Sequence, residues 1–180
     1  MRFSIVSVLV CLSLFKYSEA FLETSLAQNT RPHARVTLTS PIGAPIYGTV
    51  DFRSISLTDT QVEITIHGLD SSLPHVGHPY HIHTNPIGAD GNCEAAGGHL
   101  TPTGIPDSVT CNPAVPRACQ EGDLSGKHGL LPGTQGTVHL AYTDNTLQFF
   151  SPQAGIIGRG LVIHDGRGGR IACGNIVRAV

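Results

Sequence analysis

An all-β fold, a sandwich or barrel of short antiparallel strands, is the class that this 180-residue sequence predicts. Apolar and polar residues alternate in short runs, most cleanly in Gln61-Val62-Glu63-Ile64-Thr65-Ile66-His67, where Val62, Ile64 and Ile66 share one face. Glycine (21) and proline (12) are plentiful, which favours many turns over long helices. No repeat, heptad or low-complexity tract competes with that pattern.

The chain opens on Arg2, the apolar stretch Ile5 to Phe15 and the small-x-small site Ser18-Glu19-Ala20, the layout of a secretory signal over residues 1–20. Eleven apolar residues fall short of the roughly 18 needed to cross a bilayer. Cleavage would remove Arg2, Lys16 and Glu19 and move the net charge from −2 to −3. Residues 21–32 are patternless and read as a loose leader, and a single domain is expected over 33–180. Strands are expected at Arg35–Thr39, Ile46–Phe52, Gln61–His67, Pro79–Thr84, Gly136–Thr143, Thr146–Phe150, Gly158–His164 and Arg170–Val177. Residues 85–134 lack strand pattern, and a stretch that long inside one domain tends to be functional.

Charge excludes some classes. Only 13% of residues are charged, with no basic surplus for nucleic acid and no polybasic run for a membrane surface. No N-x-S/T sequon occurs, and no apolar tail of the lipid-anchor kind follows Cys173, so a freely secreted protein without a membrane anchor is expected.

Of five cysteines, Cys11 lies in the signal, leaving Cys93, Cys111, Cys119 and Cys173, which allow three pairings. Cys111 and Cys119 bracket one proline-rich loop and are paired here, which leaves Cys93 for Cys173. A zinc site is the other use of four cysteines, but no C-x2-C spacing supports it.

Ten histidines are too many for one site. His67 and His139 fall on polar strand faces, His33 at the leader's edge, where it should be exposed, and His75 and His78 in a loop before the fourth strand. His128 lies in a glycine-flanked turn. His81 and His83 are two apart, so a strand presents both rings on one face. An isolated pair of this kind often does nothing. Here a third, His99, follows a glycine-rich turn, and a fourth, His164, ends the apolar run Leu161-Val162-Ile163. A Greek-key barrel can bring these together as an all-nitrogen site, which suits copper. A blue-copper centre needs a free thiolate and usually a soft axial ligand, yet the only methionine is Met1. A histidine brace needs an N-terminal histidine, whereas cleavage would expose Phe21. No H-E-x-x-H, G-x-S-x-G or P-loop pattern occurs.

At these residues the sequence resembles the copper/zinc superoxide dismutase superfamily. The matching runs are Tyr80-His81-Ile82-His83, Asn92-Cys93-Glu94-Ala95-Ala96-Gly97-Gly98-His99, Gly122-Asp123-Leu124-Ser125-Gly126, Ile157-Gly158-Arg159-Gly160-Leu161-Val162-Ile163-His164 and Arg170-Ile171-Ala172-Cys173-Gly174. They occur in order over roughly residues 33–180. The resemblance implies an eight-stranded Greek-key β-barrel, immunoglobulin-like in layout, with a disulfide-tethered loop over the metal. It implies copper on His81, His83, His99 and His164, a Cys93–Cys173 disulfide, and Arg170 as the cation that guides the anion.

Two departures matter. Residues 100–122 contain no histidine, Gln120 stands where one zinc ligand would be expected, and only Asp123 remains of the zinc set. Five residues, Asp165 to Gly169, replace the long charged loop before Arg170. Both resemble the extracellular copper-only branch, so zinc should be absent. The implied reaction is conversion of superoxide to dioxygen and hydrogen peroxide, with His99 leaving copper on reduction and taking a proton. The acceptor for its far nitrogen is expected to be Asp123, then Gln120 or Glu121. The competing class is a non-catalytic copper-binding or interaction domain, which has no need of Arg170.

Overall fold

The computed structural model describes residues 31–69, 77–134 and 136–179; the signal, most of the leader and His75 lie outside them. The described chain is an eight-stranded antiparallel sheet curled into a Greek-key barrel. Its strands are β1 (His33–Thr39), β2 (Tyr47–Ser54), β3 (Thr60–His67), β4 (Tyr80–Ile82), β5 (Thr137–Asp144), β6 (Gly160–His164), β7 (Arg170–Asn175) and β8 (Val177–Arg178). The spatial order β4-β6-β7-β1-β2-β3-β5 puts β5 beside β3 and sends β4 to the far edge, and β8 adds to β1.

In β1, β2 and β3 the alternation does what the sequence asks of it. Val36, Leu38, Val50, Phe52, Val62, Ile64 and Ile66 all enter one core with Tyr80, Ile82, Leu161 and Ile163. Between the two edge strands, Tyr80 donates to the Tyr142 hydroxyl at 3.1 Å. Burial pushes the Tyr80 phenol up to about 12, so it stays a neutral donor.

Two strand expectations fail, for different reasons. Thr146–Phe150 keeps a strand-like alternation, with Leu147 and Phe149 buried and Gln148 and Phe150 exposed. It has no ladder, only a single bridge from Gln148 to Gly155, because the Asp144 carboxylate accepts the Thr146 and Leu147 amides and turns the chain out of the sheet. Arg170–Val177 is two strands rather than one. β7 runs along β6 and meets β1 through Thr39 and Cys173, whereas β8 pairs with β1 at Ala34 and Arg35, and between them the Ile176 amide and carbonyl bond to Arg159 and Gly158. His33 belongs to β1, where its ring is 2.7 Å from the buried Asp51 rather than exposed at a leader's edge.

The long connection between β4 and β5 is ordered by short elements: 3-10 turns at Cys93–Ala96 and Pro116–Ala118, and a one-turn helix α1 (Leu124–His128) capped by Asp123. Disulfides Cys93–Cys173 and Cys111–Cys119 tie it down. Where it lies on the outer face of β6 and β7, Ile87, Cys93, Ala96, Val162 and Cys173 form a second, smaller core outside the barrel.

Candidate metal centre

In β4, Tyr80 and Ile82 enter the barrel, so His81 between them points out. One residue beyond the strand, His83 makes an antiparallel bridge with His99, which places the third histidine beside the first two. His164 arrives from β6. A register shift between Ile163 and His164 sets His164 opposite Arg170 of β7, a bulge that re-aims both side chains. One candidate ligand atom from each of His81, His83, His99 and His164 lies within 4.8 Å of the others. No other such group occurs among the described residues.

Each ring is fixed by what its other nitrogen bonds. His83 Nδ1 donates to the Gly97 carbonyl at 2.9 Å, and His164 Nδ1 to the Gly168 carbonyl at 3.2 Å. His99 Nδ1 donates to Gln120 Oε1 at 2.7 Å. The Gln120 amide cannot turn round without loss, because its NH2 donates to Ile105 O and Asp107 Oδ1, both at 2.8 Å. These three rings keep Nε2 for a metal. His81 is reversed: its Nε2 lies 3.0 Å from Ser125 Oγ, while Nδ1 is buried with no hydrogen-bond partner. A buried nitrogen left without a partner among three other imidazoles fits a bound metal. Four imidazoles suit copper.

Electrostatics hold the rings ready. Burial, reinforced by the neighbouring imidazoles, lowers His81 to about 2. Burial lowers His83 to about 4, with the Arg170 charge acting the same way against the Gly97 bond. His164 is lowered too, again first by burial. The short turn Asp165–Gly169 carries one of these fixings: Asp165 accepts from the Arg167 and Gly169 amides, and Gly168, at φ +87°, offers its carbonyl to His164.

Arg170 bonds to the Cys93 carbonyl at 2.7 Å and the Gly97 carbonyl at 2.6 Å, and its Nε is 3.4 Å from exposed Glu94. The Gly97 carbonyl thus holds both His83 and Arg170.

The expected acceptors sort differently from their ranking. Gln120 takes the His99 bond, whereas Asp123 caps α1 through the Gly126 amide and stands 3.5 Å from His81. Glu121 accepts from Thr103 instead. Of the other histidines, His78 is buried with Nδ1 3.1 Å from the His164 carbonyl. His128 ends α1, stacks on Tyr142 and bonds to Asp144, away from the four rings. His67 stacks on Tyr47, and His139 bonds Thr65. Ser125 was not singled out by sequence reasoning. It lies in the Gly122–Gly126 run, but only a helix turn capped by Asp123 swings it to His81.

Comparison with known proteins decides the family. The copper/zinc superoxide dismutase profile matches residues 46–176. The chain belongs to the copper/zinc superoxide dismutase family. Within that matched superoxide dismutase region lie all four histidines, Arg170 and both disulfides. A cell surface Cu-only superoxide dismutase 5 of Candida albicans is 33% identical over 132 residues, covering 73% of this chain and 54% of that one. A cell surface superoxide dismutase [Cu-Zn] 4 of the same organism is 31% identical over 132 residues, 73% and 53% of the two chains. The solved structure of Candida albicans superoxide dismutase 5 with Cu(II) superposes at TM-score 0.72 and 29% identity, covering 84% of this chain and 94% of that one. The chain thus spans about half the length of these curated superoxide dismutase relatives.

Proposed function

We propose that this chain is a secreted superoxide dismutase that works on copper held by His81, His83, His99 and His164, without zinc. The observation that carries the reading is the convergence of four imidazoles, one with an unpartnered buried Nδ1, beside the fixed cation of Arg170. The names of the cell surface relatives and the signal-like residues 1–20 support export.

Copper bound there supplies the one-electron cycle that oxidises one superoxide to dioxygen and reduces a second, with two protons, to hydrogen peroxide. The protein's part is position and protons. His83 and His164 are buried and tied to main-chain carbonyls. His99 comes from a loop and is the more open of the two partly exposed rings, its side chain 24% exposed against 12% for His81. Its Nε2 is therefore the atom assigned to take and return a proton, while Nδ1–H stays on the Gln120 carbonyl. Arg170, its guanidinium pinned by two carbonyls, attracts and orients the anion. Zinc is disfavoured at the far side of His99 because Nδ1 donates to a neutral amide, Asp123 is engaged in the helix cap, and residues 100–122 supply no histidine.

Superoxide decay followed with copper-loaded, zinc-free protein tests the reading. Fast catalysis that does not change on adding zinc supports it. Copper bound without turnover, with or without zinc, would make the domain a copper binder instead. Arg170→Ala should lower the rate and flatten its ionic-strength dependence with copper still bound; unchanged kinetics would remove Arg170 from the mechanism.

A further inference from the structure

The four imidazoles are not oriented in the same way. His83 and His164 rely on main-chain carbonyls and His99 on a side-chain amide that only accepts through its oxygen. His81 faces a hydroxyl, which can donate or accept, so its tautomer depends on where the hydroxyl proton goes.

Ser125 Oγ has two partners, His81 Nε2 at 3.0 Å and Asp123 Oδ1 at 3.3 Å. An ionised carboxylate can only accept, so the single hydroxyl proton belongs to Asp123 and a lone pair faces His81. His81 Nε2 must then carry the hydrogen, and Nδ1 is left as a bare lone pair. The opposite arrangement would put a hydrogen on Nδ1, which is buried and has no acceptor. Both observations select the same tautomer. At 3.5 Å, Asp123 is beyond good hydrogen-bond distance from His81 Nε2 and acts through the hydroxyl.

We infer that Ser125 is a positioning residue for the metal: with Asp123 behind it, its hydroxyl fixes His81 as the Nε2–H tautomer and presents Nδ1 as the fourth ligand. This rests on the copper reading above. α1 supplies the geometry. Asp123 Oδ1 accepts the Gly126 amide at 2.7 Å as the helix cap, so the same oxygen that starts the turn also receives the Ser125 hydroxyl. On the other side of the turn, Lys127 is clamped to Asp144 at 2.8 Å, which ties the turn to β5. The cap does not use the Ser125 side chain, so removing the hydroxyl should leave the metal-free fold in place.

The experiment compares the wild-type chain with Ser125→Ala and Ser125→Thr, using copper(II) titration with spin-resonance spectra and metal-free thermal melting. Nitrogen-15 NMR of the copper(I)-loaded protein reads the histidine tautomers. Wild type should show His81 alone protonated at Nε2 and bound through Nδ1. Ser125→Ala should melt like wild type without metal, bind copper about 10- to 100-fold more weakly and shift the copper(II) hyperfine coupling. Ser125→Thr, which keeps a hydroxyl, should recover most of the affinity. If wild type binds copper through four nitrogens and Ser125→Ala matches it in affinity and spectrum, the role of Ser125 is overturned while the copper site stands. If His81 proves to be protonated at Nδ1, the inference is overturned as well. If wild type itself fails to hold copper, the copper reading falls first. A loss of affinity matched by an equal loss of metal-free stability would reduce Ser125 to a structural part of the helix.

Discussion

The β1-β2-β3-β5 side of the sheet and the β4-β6-β7 side are built on different rules. The first side is covered on one face only, so its strands alternate, as in β3 with its regular exchange of buried and less buried residues. The second side is covered on both faces, and β6 is buried at all five positions, from Gly160 to His164. Its outer cover is the long connection with its 3-10 turns, packed through Val162, Ile87, Ala96 and the Cys93–Cys173 bridge. The contrast teaches where a metal site can be put. A barrel core holds strands, but outward-pointing imidazoles need a second core to hold the chain segments that orient them.

The largest effect is expected at the seam between the two sides. Lys127 and Asp144 are almost wholly buried, and Lys127 Nζ also bonds Thr146 Oγ1 and the Glu121 carbonyl. Lys127→Met removes the lysine charge that faces the buried Asp144 carboxylate, leaves it only hydrogen bonds such as those to His128 and Thr146, and should cost about 3–5 kcal/mol in chemical denaturation.

Next come two changes that should part the sides from each other. Ile64→Ala in the barrel core should cost roughly 2–5 kcal/mol while copper affinity is kept. Replacing Cys93 and Cys173 together by serine should cost a similar 2–5 kcal/mol, but it should also weaken copper binding, because the bridge holds the segment that carries Gly97 and His99. Denaturation and copper titration on the same two samples decide this. Equal copper affinities would mean the outer core is not what orients the rings.

Acid should act on the outer side first. In the metal-free protein His83 titrates at about 4 when folded, against about 6.5 for an unperturbed histidine. Between those values the unfolded chain binds the extra proton, so stability falls as pH falls, by something on the order of 3 kcal/mol. His81, at about 2, prolongs the loss to lower pH. Asp144 is held below the usual carboxylate range by His128 and Lys127, which outweigh its burial. Its contribution is complete above about pH 4 and is lost below it, with the same sign. Denaturation of metal-free protein at pH 7.5, 5.5, 4.5 and 3 checks the order, and bound copper should move the first loss to lower pH.

The smallest effect concerns Glu94, whose exposed carboxylate lies 3.4 Å from Arg170 Nε. Glu94→Gln should raise the rate with superoxide by no more than about fivefold at low ionic strength, and the gain should vanish in high salt.

The two sides also differed in how well the sequence disclosed them. Val62, Ile64 and Ile66 announce β3 because half-covered strands must alternate. Leu147 and Phe149 alternate as well, yet the Asp144 side chain turns that segment out of the sheet, a tertiary event that periodicity does not record. At the candidate metal centre, residue type and spacing picked out the four imidazoles, whereas Arg170 came only from the family resemblance. Which acceptor met which ring was not legible. Asp123, Gln120 and Ser125 lie within six positions, and only the start of α1 decides which way each one faces.

The Gly97 carbonyl, shared by His83 and Arg170, has a consequence for how such a site can change over time. A peptide oxygen is present whatever side chain occupies the position, so no ordinary substitution deletes it. The spacing between that imidazole and the Arg170 guanidinium is therefore inherited with the backbone, as is the hold of Gly168 on His164. His99 and His81, by contrast, hang on Gln120 and Ser125, which a single base change can replace. Variation among descendants of this chain has two adjustable screws and two welded joints, and differences in redox behaviour should collect at the screws.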